Sequence, residues 1–245
     1  KLIGRGGVGM DNIDVEYAED NGLHVINTPN ASSNSVAELV FAHLFGMVRY
    51  LHQLNREMPL EGDTRFKDLK KDFGNGTELR GKTIGIIGLG RIGKEVAKIA
   101  LGIGMKVIAT DDFVGETIIN IPFYNGQSID VKIETEPFQE VLKHADFITL
   151  HVPNQEMYVI GEEQFKDMKD GVGIINAARG GVIDEVALGK VSYAGLDVFE
   201  KEPTPEMQLL MNPDLSLTPH IGAATQEAQD RIGKELAEQI IELLS

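Results

Sequence analysis

There is no cysteine and no tryptophan among the 245 residues, so phenylalanine and tyrosine supply all of the 6% aromatic content. The missing thiol excludes disulfides, cysteine nucleophiles and Cys-ligated zinc together, and no metal is expected. Basic residues are scarce as well: 23 Lys and Arg stand against 38 Asp and Glu, a net charge of −15. Nucleic acid is therefore not an expected partner, because neutralising phosphate needs clustered cations. No apolar run comes near the roughly twenty residues that span a bilayer, and no basic segment leads into an apolar stretch and a cleavage site. No membrane contact is expected, and a cytoplasmic location is. What remains, 42% hydrophobic and 25% charged residues, is the composition of an ordinary globular chain.

Lys1 to Val8 (KLIGRGGV) reads as the end of a strand running into a Gly-rich turn, which predicts a preceding N-terminal segment. Val36 to Asn55 predicts one long helix, apolar on most faces, with Ser35 as its N-cap and Glu38 completing a capping box. Residues 56–80 read as a polar connector. From Lys82 the texture changes to short apolar runs alternating with helical patterns. Strands are expected at Thr83–Gly88, Lys106–Thr110, Asp146–His151, Val172–Asn176, Tyr193–Val198 and Leu215–Thr218, with helices at Ile92–Ile103, Pro137–Lys143 and Thr225–Ser245. Runs such as IGIIG and FITL suit a parallel sheet covered on both faces, so the fold class is α/β with a doubly wound parallel sheet, Rossmann-like. The stretch Phe113–Glu136 reads as a strand-like insertion. A parallel crossover from Asn176 to Tyr193 is short of residues, which predicts a break in the chain at Leu188–Gly189.

An acidic chain can still hold a small anion through local groups, and Gly88-Leu89-Gly90-Arg91-Ile92-Gly93 supplies them. This GxGxxG follows a predicted strand and opens a predicted helix, which is the context that gives the motif meaning. Gly88 permits the turn, Gly90 admits a pyrophosphate to the backbone, and Gly93 allows close helix–strand packing. Asp111, at the end of the second strand, lies 18 residues beyond Gly93, close to the ~20 expected of an acid that accepts the ribose 2′-hydroxyl and repels a 2′-phosphate. With Asp112 beside it and no arginine following, the cofactor predicted is NAD rather than NADP.

Three further segments carry polar groups at strand ends: Asn176-Ala177-Ala178-Arg179-Gly-Gly, Leu196-Asp197-Val-Phe-Glu-Lys-Glu202-Pro203, and Leu217-Thr-Pro-His220-Ile-Gly222-Ala223. Hydride transfer to a 2-oxo acid needs a cation for the carboxylate, a proton donor and a group to tune that donor. Arg179, His220 and Glu202 fit those needs by chemistry alone.

Together with GLGRIG, the segments ARGGVIDE, LDVFEKEP and TPHIGAAT resemble the D-isomer-specific 2-hydroxyacid dehydrogenase family through essentially the whole chain. The resemblance implies a nucleotide-binding domain inserted into a smaller, flavodoxin-like substrate domain. On this pattern residues 34–222, with the long helix 36–55, form the NAD-binding domain, and 1–33 with 223–245 are an incomplete remnant of the substrate domain. It also implies that Arg179 orients the substrate and that Glu202 pairs with His220 as the acid/base dyad. A carboxylate beside an imidazole favours its charged form, which suits a ring that must donate a proton. Ala177, Ala178 and Asp197 resemble positions lining the nicotinamide pocket. Val152 and Pro153 resemble a segment passing beside the cofactor, and Gly222 and Ala223 are placed in the cofactor set. Arg5, Gly6, Gly7 and Val8 resemble the loop whose amides hold the substrate carboxylate. His151 sits near the cofactor crevice, where packing is the expected role.

Within the family, GRGGVGMDNID, NTPNASSNSVAE and TPHIGAATQEAQ most resemble phosphoglycerate dehydrogenases of serine biosynthesis, which implies oxidation of 3-phospho-D-glycerate by NAD. The chain resembles their short form, which lacks a regulatory serine-binding domain. A glyoxylate/hydroxypyruvate reductase, a D-lactate dehydrogenase, or a corepressor using the fold as an NAD-sensing scaffold are the alternatives. A formate dehydrogenase is disfavoured, because that branch resembles a Gln–His pair. The family pattern implies a homodimer around the long helix.

Overall fold

The computed structural model describes residues 1–188, 191 and 193–245. The chain opens with β1 (Leu2–Arg5), α1 (Val15–Asp20) and β2 (His24–Asn27), in which the two strands pair in parallel. Helices α2 (Ser33–Val48), α3 (Leu51–Glu61) and α4 (Phe66–Asp72) lead to β3 (Thr83–Ile87), α5 (Arg91–Gly102) and β4 (Lys106–Thr110). A hairpin of β5 (Glu116–Pro122) and β6 (Ser128–Glu134) follows, then α6 (Phe138–His144), β7 (Phe147–Leu150), α7 (Glu162–Asp167) and β8 (Gly173–Asn176). The remainder is α8 (Glu185–Leu188), β9 (Tyr193–Leu196), α9 (Met207–Leu210), β10 (Leu215–Leu217) and α10 (Gln226–Leu244).

Six strands form one parallel sheet in the order β10-β9-β8-β7-β3-β4. Ile84, Ile86, Ile148, Leu150, Ile174 and Ile175 are fully buried in it, as expected where both faces are covered. One face packs on α2, α5 and the hairpin, through Leu44, Met47, Val96, Ala97, Ile119 and Ile133. The other packs on α6 and the segments around Ile160, Val182 and Leu209. From β3 the chain steps outward to β4 and later resumes at β7 on the opposite side. The strand order therefore reverses between β3 and β7, and the crevice at their carboxyl ends is where an open sheet of this kind receives a ligand.

Most of the expected elements appear within a residue or two, including the strand at the start and the strand-like character of 113–136. Several do not. The helix expected over 36–55 is two helices: the backbone turns at Tyr50, φ 57°. A bulky residue holds this left-handed conformation only where contacts enforce it. Here the Tyr50 hydroxyl bonds Asn75 Oδ1 and the Tyr193 hydroxyl, and its ring lies against Phe73 and Tyr193. Ser35 is not an N-cap but lies inside α2, where its hydroxyl donates to the Gly222 carbonyl at 2.6 Å; Glu38 is exposed and closes no capping box. The connector 56–80 contains the end of α3 and all of α4. The break expected at Leu188–Gly189 lies outside the described residues. Among the described residues no helix is long and apolar enough to cross a membrane.

Helix α10 is capped by Thr225, whose side chain accepts from the Ala228 amide at 3.2 Å. Thr225→Ala is expected to cost about 1 kcal/mol, read as a lower midpoint in urea unfolding; an unchanged midpoint would mean that this cap does not form in solution.

Candidate active site

The glycine-rich turn leaves β3 at the reversal point. Gly88 has φ 95°, and a Cβ there would lie 2.5 Å from the His151 carbonyl oxygen. A Cβ on Gly93 would lie 2.1 Å from the Gly88 oxygen, whereas one on Gly90 would meet nothing within 4 Å. The outer two glycines thus close-pack the turn, and the middle one leaves an open cradle. Above it stand the first amides of α5, which precede the helix's own hydrogen bonding and present the positive end of its dipole. Arg91 is exposed and Ile92 half-buried at this edge.

Asp111 closes the cradle on one side. Its Oδ2 accepts from the Leu89 amide at 2.7 Å, and its Oδ1 accepts from the amides of Phe113 and Val114 at 2.9 and 3.0 Å. A carboxylate offers about four acceptor sites, so one stays free for a hydroxyl. Asp111, Asp112, Gly88, Phe138, Val152 and Gln155 line a cavity of about 330 Å³. Pro153 is exposed beyond it. His151 is half-buried; its Nε2 meets Thr149 Oγ1 at 3.0 Å, and removal of the ring from water lowers its pKa to about 3, so the ring is neutral.

The three polar loops meet on the same side of the sheet. Nδ1 of His220 lies 2.7 Å from Oε2 of Glu202, while Oε1 of Glu202 accepts from the Phe199 amide at 3.0 Å. A Cβ on Gly180 would lie 1.9 Å from the Phe199 oxygen. The loop after Arg179 is therefore pressed against the backbone that holds Glu202. Arg179 makes no hydrogen bond to the pair. Its Nε donates to Asp11 Oδ2 at 3.0 Å and its Nη1 to the Ala178 carbonyl at 2.7 Å, which leaves three of its five donors free among the described residues. Asn176, almost fully buried, pins this turn by donating to the Arg179 carbonyl and accepting from the Ala178 amide. Ala177 and Ala178 are buried beside it.

His220 itself sits at φ 56°, and Asp197 is the reason. The backbone oxygen of Asp197 accepts from the His220 amide at 2.8 Å, its Oδ1 from Ile221 and its Oδ2 from Gly222, each at 2.8 Å. Three successive amides converge on one residue that is 1% exposed. Gly222 is held again by Ser35, and the Ala223 carbonyl accepts from Gln229.

The loop Arg5–Gly9 faces Arg179: a Cβ on Gly9 would lie 2.3 Å from its Nη2. Arg5 Nε turns back to the Gly9 carbonyl at 3.2 Å, so its charge stays with its own loop. The carbonyls of Gly7 and Val8 accept from the Thr28 amide and the Asn27 side chain. Gly6 lies against Ile232 of α10. Among the described residues, the Val8 and Gly9 amides have no acceptor.

A model of the D-isomer specific 2-hydroxyacid dehydrogenase NAD binding domain matches residues 41–222. The chain belongs to this family. Hydroxypyruvate reductase of Thermotoga maritima is 46% identical over 255 residues, covering 100% of this chain and 78% of the reductase. D-3-Phosphoglycerate dehydrogenase of Methanocaldococcus jannaschii is 43% identical over 252 residues, covering 100% of this chain but 45% of that enzyme. The chain thus spans less than half of the phosphoglycerate dehydrogenase. Among solved structures, D-lactate dehydrogenase from Aquifex aeolicus, complexed with NAD and lactic acid, matches at TM-score 0.78 and 32% identity, covering 100% of this chain and 76% of that one. As a D-2-hydroxyacid dehydrogenase the chain uses NAD, and the open cradle at Gly90 fits it. Sequence reasoning missed Asp11 as the partner of Arg179 and Asp197 as the anchor of the His220 loop. GMDNID and LDVF carry those acids, but no sequence signal joins positions 11 and 179.

Proposed function

We propose that the chain is the nucleotide-binding core of an enzyme that oxidises 3-phospho-D-glycerate to 3-phosphohydroxypyruvate. The observation that carries the chemistry is the 2.7 Å contact between His220 and Glu202, at the same carboxyl end of the sheet as the glycine-rich cradle. On this reading Arg179 and the loop of Arg5, Gly6, Gly7 and Val8 bind the substrate carboxylate through the open Val8 amide, since the Gly7 amide donates to the Arg5 carbonyl at 3.0 Å and Arg5 Nε turns to the Gly9 carbonyl. His220, through Nε2, takes the C2 hydroxyl proton, and Glu202 orients the ring through Nδ1. NAD, when bound, supplies the acceptor for the C2 hydride. Gly88, Gly90, Gly93, Arg91 and Ile92 take its pyrophosphate and Asp111 its ribose. Val152, Pro153, Ala177, Ala178, Asp197, Gly222 and Ala223 line its course. Residues 34–222 form the NAD-binding domain in this reading, and 1–33 with 223–245 belong to the substrate domain.

The substrate rests on the resemblance to phosphoglycerate dehydrogenases. A second reading, reduction of hydroxypyruvate, is favoured by the higher identity to the Thermotoga reductase and the larger share of that enzyme covered. The enzyme is read as a cytoplasmic homodimer. Helix α3 has no buried residue, and Phe45, Leu51, Met58 and Phe66 stay exposed around it, which is the surface such a dimer would cover.

Initial rates with NADH and NADPH on phosphohydroxypyruvate, hydroxypyruvate, glyoxylate and pyruvate test this. The highest kcat/KM is expected for phosphohydroxypyruvate with NADH. A preference for hydroxypyruvate would select the second reading. A preference for NADPH would remove Asp111 from its role, and no turnover on any 2-oxo acid would leave a scaffold rather than an enzyme.

A further inference from the structure

Asp197 holds the His220 loop, yet among the described residues its buried carboxylate is met by neutral donors only: the Ile221 and Gly222 amides and the Thr218 hydroxyl, which donates to Oδ1 at 2.7 Å. A carboxylate in such a place is tolerated only if each of those donors is held in register. The two amides are fixed by the chain. The hydroxyl is fixed by something else. Oγ1 of Thr218 lies 3.0 Å from Nε2 of His43, and Nδ1 of His43 lies 2.8 Å from the Ser216 hydroxyl. His43 stands in the middle of α2, 3% exposed, and a Cβ on Gly195 would lie 2.8 Å from its Cβ, so the ring is wedged between the helix and β9.

The proton inventory gives the chain of bonds one direction. The Asp197 carboxylate has no proton to offer, so the single hydroxyl proton of Thr218 must point to it. The Thr218 oxygen then accepts, and His43 must donate from Nε2. Burial, opposed by the Asp197 charge, lowers the pKa of His43; the ring is therefore neutral, its Nδ1 is bare, and Ser216 donates to it. The bonds run from Ser216 to His43 to Thr218 to Asp197, and Asp197 in turn collects the amides of residues 220–222.

We propose that His43 is a positioning residue for the acid/base histidine, acting through Thr218 and Asp197 to hold the loop that carries His220. His43 touches neither substrate nor cofactor. It makes one face of α2 part of the catalytic apparatus, and it explains a fully paired polar ring beside the apolar residues that the helix buries. The inference rests on His220 being the proton-transfer group.

The test uses the intact protein. Two variants are compared: His43→Phe, which keeps a ring but has no polar atoms, and His43→Gln, whose amide N–H and carbonyl stand in the same one-atom-apart relation as Nε2 and Nδ1. Steady-state reduction of hydroxypyruvate and phosphohydroxypyruvate is measured with NADH, and NADH affinity separately by fluorescence. His43→Phe is expected to lose about 10–100-fold in kcat, the scale of a small misplacement at the reacting centre, with NADH affinity falling much less, and His43→Gln to recover most of it. Thr218→Val, read the same way, stands in if the phenylalanine variant does not fold. Wild-type kcat in His43→Phe or Thr218→Val would overturn the proposal. So would equal losses of kcat and NADH binding in both His43 variants, since that is what packing alone predicts. An inactive wild type, by contrast, would sink the dehydrogenase reading itself.

Discussion

His220→Asn is expected to lower kcat by about 10²–10⁴-fold, the contribution of a positioned general acid–base, with NADH affinity unchanged. The choice of asparagine follows from the backbone. His220 lies at φ 56°, a region that asparagine adopts with little penalty and most side chains do not. The three amides collected by Asp197 therefore keep their places, and an amide N–H can still face Glu202. What disappears is the group that exchanges a proton with the substrate oxygen. Glu202→Gln should fall between this variant and the wild type, because the ring survives but its 2.7 Å carboxylate partner does not. Turnover at the wild-type rate in His220→Asn would remove the imidazole from the mechanism.

A larger effect on binding is expected at Gly93. Helix propensity alone favours alanine over glycine by about 1 kcal/mol in a helix interior, so a reading of α5 in isolation predicts stabilisation. The turn predicts the opposite. The new Cβ would stand 2.1 Å from the Gly88 carbonyl oxygen and 3.2 Å from Ile86 Cγ2. The first of these is backbone and cannot swing aside, so either α5 lifts from β3 or the turn opens, and both spoil the cradle. Gly93→Ala is expected to weaken NADH binding by at least about tenfold, roughly 1.4 kcal/mol, and to lower the melting temperature. Gly233 in α10 is the control, since a Cβ there meets nothing within 4 Å; its alanine variant should gain stability by about 0.5–1 kcal/mol. Fluorescence titration and calorimetry on the pair separate the two contributions, and tight NADH binding in Gly93→Ala would contradict the close packing described.

The sheet and its glycine turn were legible because they are local. Each strand is a short run of apolar residues, and GLGRIG lies between a strand and a helix that announce themselves by period. The proposed roles of His220, Glu202 and Arg179 come from the recognisable segments that carry them, and the contact between His220 and Glu202 is what the fold adds. The turn at Tyr50 was not, since VRYLHQL contains no glycine or proline and the left-handed residue is held by Asn75, Phe73 and Tyr193 from elsewhere. Ser35 looked like a cap for the reason that serine suits caps, but a carbonyl 187 residues away claims its hydroxyl. Asp11 and Arg179 are 168 residues apart, and the orientation of the guanidinium depends on that pairing. In each case tertiary contact overrode a local preference.

The hairpin at 116–134 has a bearing on how the molecule behaves in a crowded solution. β4 is the last strand of the sheet on its side, and an outermost strand with open amides and carbonyls invites another chain to add to it. Here the chain leaving β6 comes back alongside: Thr135 bridges Ala109, and the Glu136 amide donates to the Ala109 carbonyl at 2.7 Å. Outside, Lys132 pairs with Glu116 across the ribbon and with Glu134 on its own strand. Residues 135 and 136 thus occupy part of the edge that β4 would otherwise offer to another chain.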